Sequence, residues 1–480
     1  MREPQYSVRP AGSRRRPGRY TAARTAAERA RSGPTPAEAK SRKAVAAAAI
    51  GNAIEWFDFG IFGFLTLLLG GQFFPGDDPV ALARNAFAVF AVSFLIRPLG
   101  GLFFGPLGDR IGRKRVLPVT ILLMAGSTFS IGILPTYDQI GYWATALLVA
   151  ARLMQGFSTG GEYAGAATFI AEYAPDRKRG FLGSWLEFGT LAGFTGGAGL
   201  VTYLTLTLSP DSMSSWGWRI PFLVALPLGL VGLYIRLRLD ETPTFQECVV
   251  AHDLAWRSPL RKVVARNWPE MLLCTGLVVL LNATVYTLLV YRESYLTQVL
   301  GVPDRLALMM TCSVLLGMMV VIVPLGSLSD RIGRKPLLLT SGFGILFLSY
   351  PAFLLLSRDG VAAKLAGLAI IGLFLVCFQA VVGSTLPAIF DTRVRYSGFA
   401  ISYNVATSLF GGTAPWVINF LVERTGSPYT PAFYLMTAAA VSIIPMLLIK
   451  ETAGQPLRGT EATRRVADIR STADEPAGPP

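Results

Sequence analysis

"GPLGDRIGRKRVL" at residues 105–117 and "GSLSDRIGRKPLL" at 326–338 share the string DRIGRK, which begins at Asp109 and again at Asp330. Each copy closes a long apolar run. A weaker echo supports the same offset: "DETPTF" from Asp240 and "KETAGQ" from Lys450. Between these landmarks the chain holds twelve apolar runs, near 44–69, 85–108, 116–134, 141–172, 181–208, 218–236, 270–292, 306–328, 337–357, 362–389, 397–421 and 430–449. Most are long enough to cross a hydrocarbon core about 30 Å thick as a helix. The duplication therefore divides the chain into two halves of six spans each.

Composition agrees. Of 480 residues, 52% are hydrophobic and 15% charged, and the mean hydropathy is +0.47. Soluble domains carry about 25% charged residues, so the class is polytopic membrane protein. The net charge of +14 would suit nucleic acid if it formed one patch, but its placement follows topology. With a cytoplasmic N-terminus, the inner loops hold Arg110, Arg113, Lys114 and Arg115, then Arg177, Lys178 and Arg179, then Arg331, Arg334 and Lys335, then Arg393 and Arg395. The outer loops hold Arg84, Arg305, Arg358, Lys364 and Arg424. This asymmetry is the positive-inside pattern. It predicts a multi-pass protein of the cell inner (plasma) membrane with both termini cytoplasmic, and it leaves no need for nucleic acid. The single histidine, His252, and the four scattered cysteines exclude a multi-His metal site and a disulfide framework. No cofactor, metal or obligate protein partner is expected.

The expected organisation is a basic N-terminal tail (1–43), an N-terminal six-helix bundle (44–236), a cytoplasmic linker (237–269), a C-terminal six-helix bundle (270–450) and a polar C-terminal tail (451–480). The Arg-, Ala- and Pro-rich tail resembles a transit peptide in composition and reads as a disordered segment before a full span. "GFSTG" at 156–160 matches the G-x-S-x-G nucleophile pattern. That pattern needs a strand-to-helix elbow and a nearby histidine, and neither is expected here. No enzyme is predicted.

Parallel six-span halves are one layout of secondary transporters. The loop GxxxDRxGRK after the second run resembles the signature loop of the major facilitator superfamily, and "RLMQG" (Arg152 to Gly156) resembles its second motif. "GNAIEWFDFG" (51–60), "FLIRPLGGLFFG" (94–105), "GFSTGGEYAGA" (156–166), "APDRKRG" (174–180), "WGWRIPF" (216–222) and "STLPAIF" (384–390) resemble the metabolite:proton symporter family within it. The likeness runs from about Lys43 to about Thr460. It implies an all-α major facilitator fold of twelve transmembrane helices in two bundles. It also implies proton-coupled uptake of a small solute by alternating access. It further implies a gating role for the DRIGRK loops, carried by Asp109, Arg110, Arg113, Asp330, Arg331 and Arg334. An aspartate there can pair with arginines or with a helix N-terminus.

Four charges lie far from any loop. At about 1.5 Å per residue, Glu55 is roughly 16 Å and Asp58 roughly 21 Å below the inner surface, Arg97 roughly 18 Å and Arg152 roughly 15 Å deep. They converge on the midplane, where an ionisable residue is costly and functional by default. With no histidine in any span, the proton must ride on a carboxylate: Asp58 first, Glu55 second, Glu162 third. Fixed ion pairs between Glu55 or Asp58 and the two arginines are the structural alternative. Asn52, Trp56, Arg97, Arg152, Asn282, Tyr286 and Gln379 are the candidate substrate-binding residues. Gly156, Gly160, Gly189, Gly193 and Gly197 read as packing faces.

Aromatic faces favour a quaternary ammonium by about 0.5–2 kcal/mol per contact. Taken with the resemblance, the favoured substrate is a zwitterionic osmolyte such as proline or glycine betaine. The rivals are a carboxylate such as 2-oxoglutarate, citrate or shikimate, and a non-transporting membrane sensor. A zwitterion needs one cationic partner plus aromatic rings, whereas a dicarboxylate needs two free arginines.

Overall fold

The computed structural model describes residues 36–76, 78–111, 113–237, 260–392 and 394–459, the side chains of 36–41, 79–80, 108–110, 113–114 and 260–263 excepted. The chain divides into two units, Met1–Lys43 and Ala44–Pro480, and the features below belong to the second. Among the described residues there is no strand.

Ten helices are long and apolar enough to cross a membrane by length and composition: α1 (Arg42–Phe64), α2 (Ala81–Leu107), α3 (Arg115–Ile133), α6 (Arg219–Leu237), α7 (Val264–Val299), α8 (Asp304–Ile332), α9 (Arg334–Leu356), α10 (Val361–Ile389), α11 (Arg395–Thr425) and α12 (Thr430–Leu448). Two further elements fill the gap. α4 is Tyr142–Thr159 continued by Glu162–Tyr173, and α5 is Arg179–Thr207. Glycine, serine, threonine and buried charges dilute the hydropathy of these two. They nonetheless form the fourth and fifth of the twelve runs.

Burial separates the centre from the lipid face. The most apolar windows of α1 and α7 are 83% buried, whereas that of α6 is 33% buried. Outward-facing side chains are large and apolar, among them Phe103, Trp143, Val320, Phe347 and Leu448. A soluble surface would not carry so much exposed apolar area. The two halves meet along α5 with α8 and along α2 with α11.

Glycines set the approach of α2 to α4. A Cβ added at Gly156 would run into the Ser93 carbonyl, one at Gly160 into the Arg97 carbonyl, and one at Gly100 into the Phe157 carbonyl. Likewise Gly189 and Gly193 of α5 lie against the Ala49 and Ala53 carbonyls of α1. Small residues let backbones touch in a membrane, where helix association rests on packing. The expected packing faces are therefore real contacts, and they bring the charges of α1, α2, α4 and α5 together. π-turns interrupt α7 at Thr287–Tyr291 and again at Tyr295–Val299, and α11 at Ser408–Gly412. Such turns concentrate at functional segments, and here the first and last border Tyr286 and Asn404.

Candidate functional site: a charged centre between the two halves

Helix α1 carries Asn52, Glu55, Trp56 and Asp58, all buried. Across from them stand Arg97 on α2 and Arg152 on α4, both at most 1% exposed. The Arg97 guanidinium lies between two rings, 4.3 Å from the Phe59 centroid and 4.1 Å from that of Phe94. Its Nε and Nη2 have no hydrogen-bond partner among the described residues. Arg152 is more fully engaged. It stacks 4.0 Å over Phe62, donates to Ser93 Oγ at 2.9 Å, and donates to Gln155 Oε1.

No direct ion pair joins Glu55 or Asp58 to either arginine among the described residues. A relay stands in its place for Asp58: Gln155 Nε2 donates to Thr128 Oγ1 at 2.9 Å, and the Thr128 hydroxyl reaches Asp58 Oδ2 at 3.0 Å. Asp58 Oδ1 and both oxygens of Glu55 are buried without a partner. Glu162 differs, since it forms an ion pair with Arg236 of α6 at 3.1 Å.

The remaining candidates distribute as follows. Asn52 Nδ2 donates to the Leu186 carbonyl at 2.8 Å and to Thr190 Oγ1 at 2.7 Å, tying α1 to α5. Asn282 ties α7 to α11 through Thr407 Oγ1 at 3.1 Å. Tyr286 crosses from the second half into the ring cluster of the first: its centroid is 5.0 Å from Phe94 and 6.3 Å from Trp56. Gln379 Nε2 donates at 3.3 Å to Glu187 Oε2. Glu187, on α5, was not singled out from the sequence. It is 3% exposed and accepts a second bond from the Tyr163 hydroxyl. The signal that marked Glu55, a carboxylate inside an apolar run, marks Glu187 equally.

At the rim of the bundle that carries the second DRIGRK loop the charges are answered. Asp330 Oδ1 accepts from Gly180 N at 2.7 Å and Oδ2 from Phe181 N at 2.8 Å, so this carboxylate of the second half caps the N-terminus of α5 in the first. Free N–H groups and the helix dipole favour an anion there. Arg334 donates to the Ser384 carbonyl at 3.1 Å and to Thr452 Oγ1 at 2.7 Å, while Arg331 is exposed. The KETAGQ echo gains a structural meaning: Glu451 takes the backbone N–H groups of Arg334 and Lys335 at the start of α9. Burial alone would push its carboxyl up, but the N–H donors of Arg334, Ala453, Lys335 and Thr452 outweigh it and hold it below the usual range. The side chains of Asp109, Arg110 and Arg113 lie outside the described residues, as do positions 238–259 of the expected linker.

A second pair repeats between halves. Arg179 opens α5 and donates through Nε to the carbonyl of Ala171, eight residues back; Arg395 opens α11 and donates to that of Pro387, also eight back. Arg395 is further paired with Glu172 at 3.1 Å, which crosses between halves. The duplication seen in the loops thus extends to the start of the fifth helix of each half. The "Sugar (and other) transporter" family model matches residues 44–266 and 251–463.

The chain belongs to the sugar (and other) transporter family.

Within the family's reach it is similar to the "Glycine betaine/proline/ectoine/pipecolic acid transporter OusA" of Dickeya dadantii (strain 3937), at 45% identity over 90% of this chain and 87% of that protein. It is similar to the "Proline/betaine transporter" of Escherichia coli (strain K12) at 45% identity over 90% of this chain and 88% of the relative. Among solved structures it resembles the major facilitator superfamily proton:xylose symporter XylE bound to 6-bromo-6-deoxy-D-glucose. The TM-score is 0.73 with 17% identity, covering 88% of this chain and 99% of the other. A partially occluded inward-open form of XylE from E. coli gives 0.70, also at 17% identity, over 87% of this chain and 100% of that one. The fold is the all-α major facilitator fold. This family member is a multi-pass membrane transporter of a small molecule and not an enzyme.

Proposed function

We propose that this transporter takes up a small zwitterionic osmolyte, proline or glycine betaine, together with protons across the inner membrane, with both termini cytoplasmic. The two six-helix bundles, 44–236 and 270–450, rock about the charged centre, and the segments 1–43, 237–269 and 451–480 stay on the inner side. The observation that carries this reading is the state of Arg97. It is a buried guanidinium between two aromatic faces, with unanswered donors and no carboxylate partner. Arg152 is already engaged by Ser93 and Gln155. One available cation ringed by Trp56, Phe59, Phe94 and Tyr286 suits a substrate with one carboxylate and one ammonium. The names of the relatives at 45% identity point the same way.

The proton rides on Asp58, whose link to Arg152 runs through Gln155 and Thr128 and can be remade when α4 moves against α1. Glu55 orients Arg97 or the substrate. Glu162, already paired with Arg236, is the third candidate. Asp109 and Asp330 with Arg110, Arg113, Arg331 and Arg334 gate the inner side.

Uptake of labelled proline, glycine betaine and 2-oxoglutarate by purified protein in liposomes, with and without a proton gradient, tests the reading. Gradient-driven accumulation of the zwitterions is expected. Accumulation of 2-oxoglutarate alone overturns it.

A further inference from the structure

The buried polar atoms without hydrogen-bond partners are not mixed at random. Around Arg97 they are mostly donors: Arg97 Nε and Nη2, Arg152 Nε, Trp56 Nε1 and the Tyr286 hydroxyl, set against Asp58 Oδ1 and the two oxygens of Glu55. Around Glu187 they are acceptors. Gln379, bonded to Glu187 through Nε2, leaves its Oε1 unanswered, and Asn52, bonded to Leu186 and Thr190, leaves its Oδ1 unanswered. Buried polar groups are satisfied in the great majority of cases, so this segregation is a feature of the site.

Glu187 itself is held by neutral groups, the Tyr163 hydroxyl and the Gln379 amide. No Lys, Arg or His side chain pairs with it among the described residues. Above it the Tyr163 and Tyr403 rings stack at 4.4 Å with 15° between planes, and Phe399 lies 5.7 Å from Tyr403. Tyr163 belongs to the first half, Tyr403 and Phe399 to the second. Through that stack Tyr403 brings the second half against the Tyr163–Glu187 pair.

We infer that Glu187 is the cation-recognising pole of the substrate site, with Arg97 as the carboxylate pole. The inference rests on the zwitterion reading and adds the residue that selects for the positive end. A substrate ammonium meets a carboxylate, two unanswered amide oxygens and aromatic faces that attract a cation whether or not it carries N–H donors. Proline brings two N–H donors for Glu187 and glycine betaine none, so one pole accommodates both. Because the pole includes Gln379 and Tyr403, binding also draws the second half toward α5.

The test uses 3,3-dimethylbutyrate, which keeps the shape and carboxylate of glycine betaine but replaces the charged nitrogen with carbon. In proteoliposomes of the full chain, glycine betaine is expected to compete with labelled proline at least tenfold better than 3,3-dimethylbutyrate. Glu187→Gln is expected to raise the KM for glycine betaine about tenfold or more and to collapse that preference, with inhibition by 3,3-dimethylbutyrate unchanged. Glu187→Asp, which retains the charge, is expected to keep most of the preference. A purely structural role would weaken both ligands alike. A wild-type protein that binds the uncharged isostere as well as betaine overturns the proposal without any variant. So does a Glu187→Gln protein that keeps the preference, and in that case betaine uptake by the wild type leaves the zwitterion reading standing. A wild type that accumulates only 2-oxoglutarate removes both.

Discussion

The rim that carries the second DRIGRK loop and the midplane of this transporter treat charge in opposite ways. At the rim, Asp330 takes two helix N–H groups, Glu451 takes those of Arg334 and Lys335, and Arg395 meets Glu172 and a carbonyl. At the midplane, among the described residues, Glu55 has no hydrogen-bond partner, Asp58 has one neutral donor, Arg97 lies between aromatic faces, and Glu187 has neutral donors. An unsatisfied buried polar group costs about 1–3 kcal/mol, more if charged. The rim avoids that cost with fixed caps, as the proposed gate requires of a lock. The midplane carries it, which fits the proposal that a moving ion and a substrate supply there what the fold does not.

That contrast predicts which substitutions abolish function and which merely loosen it. The largest effect belongs to Asp58. Asp58→Asn keeps the contact with Thr128 but cannot release a proton, so accumulation under a proton gradient should fall to the level of equilibration while substrate exchange survives. An Asp58→Asn protein that still concentrates substrate in response to an imposed pH gradient would break the contrast at its strongest point.

A smaller loss is expected at the lock. A charge at a helix N-terminus contributes about 0.3–1 kcal/mol, and up to about 2 kcal/mol when partly buried. Asp330→Asn should therefore favour inner opening by a few-fold to about thirtyfold and cut net uptake at normal protein level, and Asp109→Asn should act alike. Ordinary uptake rates in both variants would remove the gating assignment.

The smallest effect should come from Glu451. Its carboxyl is held below the usual range, so its contribution is complete above the ordinary glutamate pKa of about 4.3 and is lost as pH falls through the lower folded value. Thermal unfolding in detergent should show Glu451→Gln destabilised near neutral pH and the gap to wild type closing below about pH 4. A gap that widens on acidification would contradict the capping role.

Much of this was legible early. DRIGRK at two positions implies two halves, and the depth estimates bring Glu55, Asp58, Arg97 and Arg152 to one level, because rise per residue along a helix is fixed. The helix N-terminus expected to meet an aspartate is there, with Asp330 on α5. Other features were not. The direct pairs weighed as the structural alternative are absent among the described residues, and for Asp58 the Gln155–Thr128 relay stands in their place, since side chains at equal depth can still point past one another. Glu187 carries the same signal as Glu55 but sits alone in its run, and only its contacts with Tyr163 and Gln379 single it out. α4 and α5 fall short of the hydropathy of the other spans because they are built of small and polar residues for close packing at the centre.

The sequence by itself determined the class, the duplication, the polarity of the loops and the depth of each charge. These follow from hydropathy, repetition and the geometry of one helix, all of which are local. The tertiary structure alone decided which charge meets which, that Arg97 is left between rings, that Glu187 faces Gln379, and that the free atoms beside Glu187 are acceptors. Those outcomes depend on how far each helix is turned about its axis and how closely its neighbour approaches. Both are fixed by packing between residues distant in the chain, such as Gly160 against Arg97 and Gly193 against Ala53.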